Sequence, residues 1–318
     1  IKTESDGRMF PVSNQSQTII DCFQQCCRKL GISVQLSQRV SEIVKAHDQW
    51  KLTLSSGNTI SAEKVCLALG SLKESKILEQ LRGLGHRIHP LLPSLFAFNL
   101  PNHPMKDLSG LSVQNATIQT MPKGKQQNGP LLITHRGLSG PAILKASAWD
   151  AVQLSEVNYK FEVSINWTGS RSPQHLSDYF NSLRKNHPTR RIIQNPFPEL
   201  PKRLWNNLVS SAHIENDTTW AHLSRERSLN LQNNLSAMRL KVDGKTTNKD
   251  EFVTCGGICL KEVDFRSMES KLHQGLFFAG ECLNLDGITG GFNFQAAWTT
   301  GRIAGESMGK ISEKSSSA

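Results

Sequence analysis

Apolar residues recur at Ile19, Ile20, Phe23, Cys26, Cys27 and Leu30, and this three-and-four spacing predicts a helix over 16–30. Ser16 can cap its start and Gly31 its end. Strand-like patterns follow at Ile32–Leu36, Val40–Val44 and Trp50–Leu54, and a Ser56-Gly57-Asn58 turn leads into Thr59–Ser61. Val65-Cys66-Leu67-Ala68-Leu69 is an unbroken apolar run ending at Gly70. Such a run suits a strand buried on both faces of a parallel sheet.

The pattern changes near Pro90. Pro93, Pro101 and Pro104 break the chain into short extended pieces, and strands are expected at Val113–Thr120, Leu131–Thr134 and Tyr159–Trp167. Helical spacing takes over in 172–238, where Leu176, Tyr179, Phe180 and Leu183 share one face, Leu200, Leu204, Leu208 and Val209 share that of a second helix, and a third is expected over Ser224–Met238. From about 252 the first style returns, with the short strand Gly275–Gly280, a glycine-rich turn and a helix from Phe292 to Met308. The two ends of the chain share an α/β style that the middle lacks. The expected organisation is one α/β domain made of 1–92 and 254–318. It is interrupted by an insert, 93–253, of barrel-like strands plus a small helical piece at about 172–238.

Composition narrows the picture. The 318 residues, 37% hydrophobic and 20% charged, suit about two packed domains rather than a disordered chain. The net charge of +10 favours an anionic partner, either a phosphate-bearing cofactor or RNA, although the same charge can serve solubility alone. Residues 160–240 hold 11 Lys/Arg against 6 Asp/Glu. Arg184, Lys185, Arg190, Arg191, Lys202 and Arg203 are the candidate RNA contacts there, with a solvated helical face as the alternative. The seven cysteines are odd in number and several sit in apolar patterns, with Cys26-Cys27 read as core filler, so reduced thiols in a cytoplasmic protein are expected. No run of 18 apolar residues occurs, and no membrane span is expected. The chain opens on Ile1 and reads as N-terminally truncated.

The chemistry concentrates in Gly275–Gly305, GLFFAGECLNLDGITGGFNFQAAWTTGRIAG. A buried strand delivers Glu281 at its carboxyl end, and a glycine turn then opens a helix. Ligands of open α/β sheets bind outside the carboxyl ends of strands. A helix start offers free N–H groups and a positive dipole to anions. Gly290 and Gly291 leave room for a ligand at the backbone. The plainer alternative is a βα turn with capping glycines.

This stretch resembles the C-terminal flavin motif of two-dinucleotide-binding-domain flavoproteins. More narrowly, four stretches resemble the aminoacetone-oxidase-like family, the BaiN/RdsA group of NAD(P)/FAD-dependent oxidoreductases. They are Gly7–Ser13 (GRMFPVS), Thr134–Pro141 (THRGLSGP), Val253–Lys271 with its VTCGGI, LKEV and MESK pieces, and the FAGE…DGITGGFNFQAA stretch. The resemblance implies a FAD/NAD(P)-binding Rossmann-like domain, FAD as cofactor and NAD(P)H as electron donor. It places Gly70, Gly280, Glu281, Asp286, Gly287, Thr289, Gly290, Gly291, Phe292 and Asn293 around the flavin, with Glu281 on the ribityl or pyrophosphate side. His135 is a proton donor or substrate ligand in this reading, and a structural strand-end histidine in the other.

Two departures stand out. No G-x-G-x-x-G turn occurs, and in the family it precedes the GRMFPVS segment, hence before Ile1. Residues 1–318 alone are therefore expected to hold FAD weakly or not at all, and a version extended upstream to hold it well. Ser71–Gln80, SLKESKILEQ, also stands where the family carries a longer glycine-rich loop. The implied substrate is a small molecule or a ribosomal RNA uridine. The alternative is a cofactor-free remnant that binds RNA or a protein. Cys255 and Cys259 lack metal-ligand spacing, and no metal is expected.

Overall fold

The computed structural model describes residues 1–4, 7–73, 75–101, 103–246 and 253–310. The chain divides into two compact units. The first is Ile1–Pro90, Gly256–Leu285 and Gly290–Ala318, and the second is Leu91–Cys255 with Asp286–Thr289. Residues 247–252 and 311–318, included in the expected domain spans, lie outside the described residues.

The first unit begins with a two-residue hairpin, β1 (Lys2–Thr3) and β2 (Met9–Phe10), and the helix α1 (Gln17–Lys29). A three-stranded antiparallel sheet follows, β3 (Val40–Ala46), β4 (Gln49–Leu54) and β5 (Thr59–Ala62). Then come β6 (Val65–Leu67) and α2 (Ile77–Gly83). Strand β7 (Ile88–Ser94) opens the second unit's run of β8 (Ala97–Asn99), β9 (Ser112–Thr120), β10 (Gln127–Thr134) and β11 (Gly137–Ser139). Helices α3 (Pro141–Trp149) and α4 (Ala151–Glu156) precede β12 (Lys160–Asn166). The helical piece is α5 (Pro173–Asn186), α6 (Lys202–Ser211) and α7 (Arg225–Ser236), followed by β13 (Met238–Asp243) and β14 (Lys245–Thr246). The chain ends with β15 (Val253–Ile258), β16 (Val263–Asp264), β17 (Glu269–Ser270), β18 (Leu276–Phe278) and α8 (Phe292–Gly309).

In the first unit β6 and β18 pair in parallel, Val65 against Leu276 and Leu67 against Phe278, inside a four-stranded sheet of order β16-β17-β18-β6. Both strands are short continuous apolar runs because both faces are covered. Gln80 on α2 joins that helix to β3. Its Oε1 accepts from Ile43 N at 2.6 Å and its Nε2 donates to Ser41 O at 2.8 Å. Trp50, fully buried on β4, donates from Nε1 to Gln274 O just before β18. Lys64 Nζ donates to Met308 O at 2.7 Å and so fastens the end of α8 beside β6.

Two expectations fail in this unit. Ile32–Leu36 is not a strand, because no neighbouring strand pairs with it among the described residues, and Leu36 is 80% exposed. Helix α1 forms where its periodicity placed it, and Gly31 ends it at φ +66, yet it buries no residue. Cys22 and Cys26 are exposed, so the Cys26-Cys27 pair does not fill a core; the apolar face of α1 is not covered by any described element.

The second unit is built on a seven-stranded antiparallel sheet of order β13-β12-β9-β10-β11-β8-β14. The expected barrel-like closure is absent among the described strands, since β13 and β14 lie at opposite ends of this order. The two are nevertheless consecutive in the chain, separated by Gly244 at φ +100, so one segment borders both edges. Alternation along the strands points Val113, Ile118, Leu131, Ile133, Val163 and Ile165 into a core shared with Leu176, Phe180, Trp205 and Leu231 of the helical piece. Pro141 takes the first turn of α3 behind Gly140 at φ +95, as its sequence suggests. Trp149 does not join the apolar face of α3. It is more than half exposed, and the Lys125 ammonium lies 4.6 Å from its ring.

Candidate functional site

The parallel pair β6 and β18 brings two glycine-marked carboxyl ends together in the first unit. Gly70 (φ +67) follows β6, and Gly280 (φ +74) follows β18. A Cβ on Gly70 would stand 3.9 Å from Glu281 Oε2, which puts the carboxylate at the mouth of the parallel pair. Gly280 N donates to Thr300 Oγ1 at 2.9 Å, and a Cβ on Gly280 would reach Ala297 Cβ at 3.5 Å. Gly280 thus lets α8 close on the strand ends. Cys282 is buried beneath, its Sγ donating to Leu67 O and Ala279 O at 3.3 Å each. Burial pushes its thiol up to about 12, so it stays protonated.

Gly291 is the N-cap of α8, at φ +89, with no side-chain cap. A Cβ built there would meet nothing within 4 Å. The first turn of an eighteen-residue helix therefore opens, through glycine, into free space. Phe292 and Phe294 are exposed beside it, and Phe294 packs against Trp298 with ring centroids 6.1 Å apart. An N-terminal helix dipole, a glycine cradle and an adjacent acid can hold a polar ligand with anionic or electron-rich atoms near the amides.

The remaining predicted residues fall in the second unit. Asp286, Gly287 and Thr289 belong to the segment that clusters there. Asp286 Oδ2 accepts from Ser94 Oγ at 3.1 Å and also holds the Cys255 thiol. Burial raises the Asp286 carboxyl above its ordinary range, against the pull of these two hydrogen bonds. Burial, then the Asp286 charge, pushes Cys255 up to about 11. Sequence reasoning missed this Ser94–Asp286–Cys255 cluster, since its members are far apart in the chain. His135 is exposed at the tip of the β10–β11 hairpin, where Thr134 Oγ1 accepts from Gly137 N at 3.1 Å. A polar cavity of about 200 Å³ over β9 and β12, lined by Thr117, Gln119, Ser164 and Asn166 among others, contains none of the predicted residues.

The segment after β6 departs from a glycine-rich loop in a defined way. Leu72 is fully buried, and Ile77 and Leu81 of α2 are buried with it. Its side chains serve the core of the unit. Among the described residues no group of three or more His, Cys, Asp or Glu could hold a metal, and no helix is long and apolar enough to cross a membrane.

Residues 1–307 match the family model described as HI0933-like protein Rossmann domain. The chain is 29% identical over 321 residues to a ribosomal RNA dihydrouridine synthase of Escherichia coli (strain K12), covering 98% of this chain and 76% of that protein. It is 25% identical over 310 residues to a 3-dehydro-bile acid delta(4,6)-reductase of Clostridium scindens, covering 94% of this chain and 75% of that protein. A ribosomal RNA dihydrouridine synthase of Haemophilus influenzae is 27% identical over 313 residues, covering 92% and 73%.

Proposed function

Because the chain belongs to the HI0933-like Rossmann-domain family, we propose that it is an FAD-dependent oxidoreductase that uses NAD(P)H as reductant. The observation that carries this reading is the glycine-lined N-terminus of α8, opening into free space beside the carboxyl ends of β6 and β18 and the Glu281 carboxylate. The chemistry FAD would supply when bound is hydride transfer between NAD(P)H and the substrate.

The chain's own residues would bind and orient. Gly291 would leave space for the isoalloxazine edge, a Cβ on Gly290 would stand 3.3 Å from the Phe292 ring, and the start of α8 at Phe292 and Asn293 would face the electron-rich atoms. Glu281 would accept from ribityl hydroxyls, and Gly70 and Gly280 would allow close backbone approach. Asp286, Gly287 and Thr289 would shape the turn before α8. His135, exposed at the tip of the β10–β11 hairpin, is the candidate proton donor to substrate.

The names of the relatives share one chemistry, reduction of a carbon–carbon double bond conjugated with a carbonyl, in a uridine of RNA or in a bile acid. The substrate proposed here is of that electronic type, either a small molecule or an RNA uridine. A second reading, a cofactor-free module that binds RNA or protein, is favoured by the burial of Leu72 where the family's glycine-rich loop would stand.

The visible spectrum of the protein purified from its native source separates the two. Flavin bands that bleach on anaerobic addition of NADH or NADPH are expected. A colourless protein that takes up no added FAD would overturn the oxidoreductase reading and leave the binding module.

A further inference from the structure

The surplus of cations gathers at one end of the helical piece. Residues 184–191, RKNHPTRR, hold four Lys/Arg and no acid, and residues 218–225, TTWAHLSR, add His222 and Arg225, again with no acid. Hydrogen bonds lay these segments side by side. Ile192 N donates to Thr218 O at 3.0 Å, Trp220 N to Arg190 O at 3.1 Å, and Ala221 N to Pro188 O at 3.0 Å. Arg191 and Thr219 form an antiparallel bridge.

Arg184 is the fastener rather than a free charge. Its guanidinium donates to Trp220 O at 3.3 Å and to Leu223 O at 2.7 Å, tying the end of α5 to the start of α7. Behind the two segments Trp220 is fully buried, with its ring 5.2 Å from that of Phe180. Lys185, Arg190, Arg191 and Arg225 are exposed on this rigid backing, and among the described residues none of them forms an ion pair. Four cations without an ion-pair partner among the described residues are thereby carried on two paired backbone segments, with Asp217 and Glu226 as the flanking acids.

We propose that this end of the helical piece binds the phosphate backbone of single-stranded or looped RNA, an inference that rests on the RNA branch of the function proposed above. Three of the four cations are exposed guanidiniums, whose planar forks match phosphate oxygens in pairs. Each phosphate contact releases counterions, so affinity must fall as salt rises. The helical piece then acts as a handle on the nucleic acid, separate from the residues proposed to hold the flavin.

The test uses the whole protein and a fluorescein-labelled single-stranded RNA of about twenty nucleotides, with anisotropy read across a salt series. The variant changes Lys185, Arg190, Arg191 and Arg225 to Ala and keeps Arg184. A charge-matched control changes Lys123, Lys125, Lys160 and Lys241 to Ala. The expected result is at least a tenfold loss in the variant and a log–log salt slope shallower by about 0.7 per lost phosphate contact, with the control close to wild type. Absence of RNA binding by the wild type, equal affinities of variant and wild type, or an equal loss in the control would each overturn the proposal. Equally tight binding of labelled polyglutamate of the same charge would assign the surface to an acidic protein and overturn it too. Flavin content and its bleaching by NAD(P)H, read on the same samples, report on the oxidoreductase reading separately.

Discussion

Ser270 Oγ lies 3.1 Å from His86 Nε2, and the hydroxyl must be the donor. Ser270 Oγ already accepts from Leu272 N at 3.1 Å and His273 N at 3.0 Å, which occupies both of its lone pairs. Nε2 is therefore bare, and the imidazole proton sits on Nδ1, 3.3 Å from Glu262 Oε2. The Ser–His–Glu order has the look of a catalytic relay, but Ser270 and His86 are both buried and the hydroxyl is fully committed. The network is structural: it holds a neutral histidine between β17 and the start of β7, with Phe278 edge-on at 5.1 Å.

Protonating His86 would turn Nε2 into a third donor towards Ser270 and strand the serine hydroxyl. Burial lowers the affinity of His86 for a proton, the Glu262 contacts oppose this, and His273 adds to it. Neutral in the fold and protonatable when unfolded, His86 lends stability that is complete above about pH 6.5 and is lost as pH falls through that value towards its folded one. Glu262 acts separately: burial alone would raise it, but Arg87 and His86 hold it low, so its share is lost only at more acidic pH. Melting temperature measured from about pH 8 to about pH 5 should fall for the wild type. His86→Gln should melt lower at neutral pH but with a flatter slope; parallel curves would refute the assignment.

Cys282 and the α1 cysteines should react at opposite extremes. Cys282 is buried, protonated and bonded to two carbonyls, whereas Cys22 and Cys26 are exposed. Iodoacetamide on the native protein, followed by peptide mass spectrometry, should label the latter pair and spare Cys282 until denaturant is added. Early labelling of Cys282 would contradict its burial.

Two glycines test backbone crowding against ligand space. A Cβ on Gly256 would stand 2.0 Å from Pro90 O, and Gly256 is at φ +103, so Gly256→Ala should destabilise by about 3 kcal/mol or more in urea unfolding. Gly291→Ala meets nothing and should cost only about 1–2 kcal/mol of backbone strain. On the function proposed above, FAD should nonetheless dissociate faster from this variant, read by recovery of FAD fluorescence. Unchanged flavin retention would remove Gly291 from the cofactor cradle.

Among the described residues the Gln80 side chain bridges α2 to β3, and both ends of its amide are used. Gln80→Ala leaves Ile43 N–H without its partner, and a loss of about 1–3 kcal/mol is expected from chemical denaturation. A change under about 0.5 kcal/mol would mean that water replaces the amide at no cost.

The parallel pair was legible because burial on both faces leaves an apolar run in each strand, and the glycine turn marked the start of α8. Ile32–Leu36 misled for a related reason: its alternation suits a strand, but a strand also needs a partner, which alternation does not reveal. The sheet order of the second unit was out of reach because β8 and β11 have three residues each and β14 two, too short for a period to register. Arg184 read as a free cation because its acceptors are carbonyls 36 and 39 residues further on. The Ser270–His86–Glu262 network was hidden by separations of 184 and 176 residues.

Strands β12 and β13 are hydrogen-bonded neighbours, with Ile165 facing Met238, so the whole helical piece leaves the sheet and returns to it at one rung. Topologically it is the loop of a hairpin grown to the size of a small domain. Closing a longer loop costs little more than closing a short one, because the entropy rises only with the logarithm of length. Such a branch can be enlarged, re-charged or exchanged in descent while the ladder beneath it keeps its register. A lineage could thereby change what this branch contacts and leave the sheet beneath it untouched.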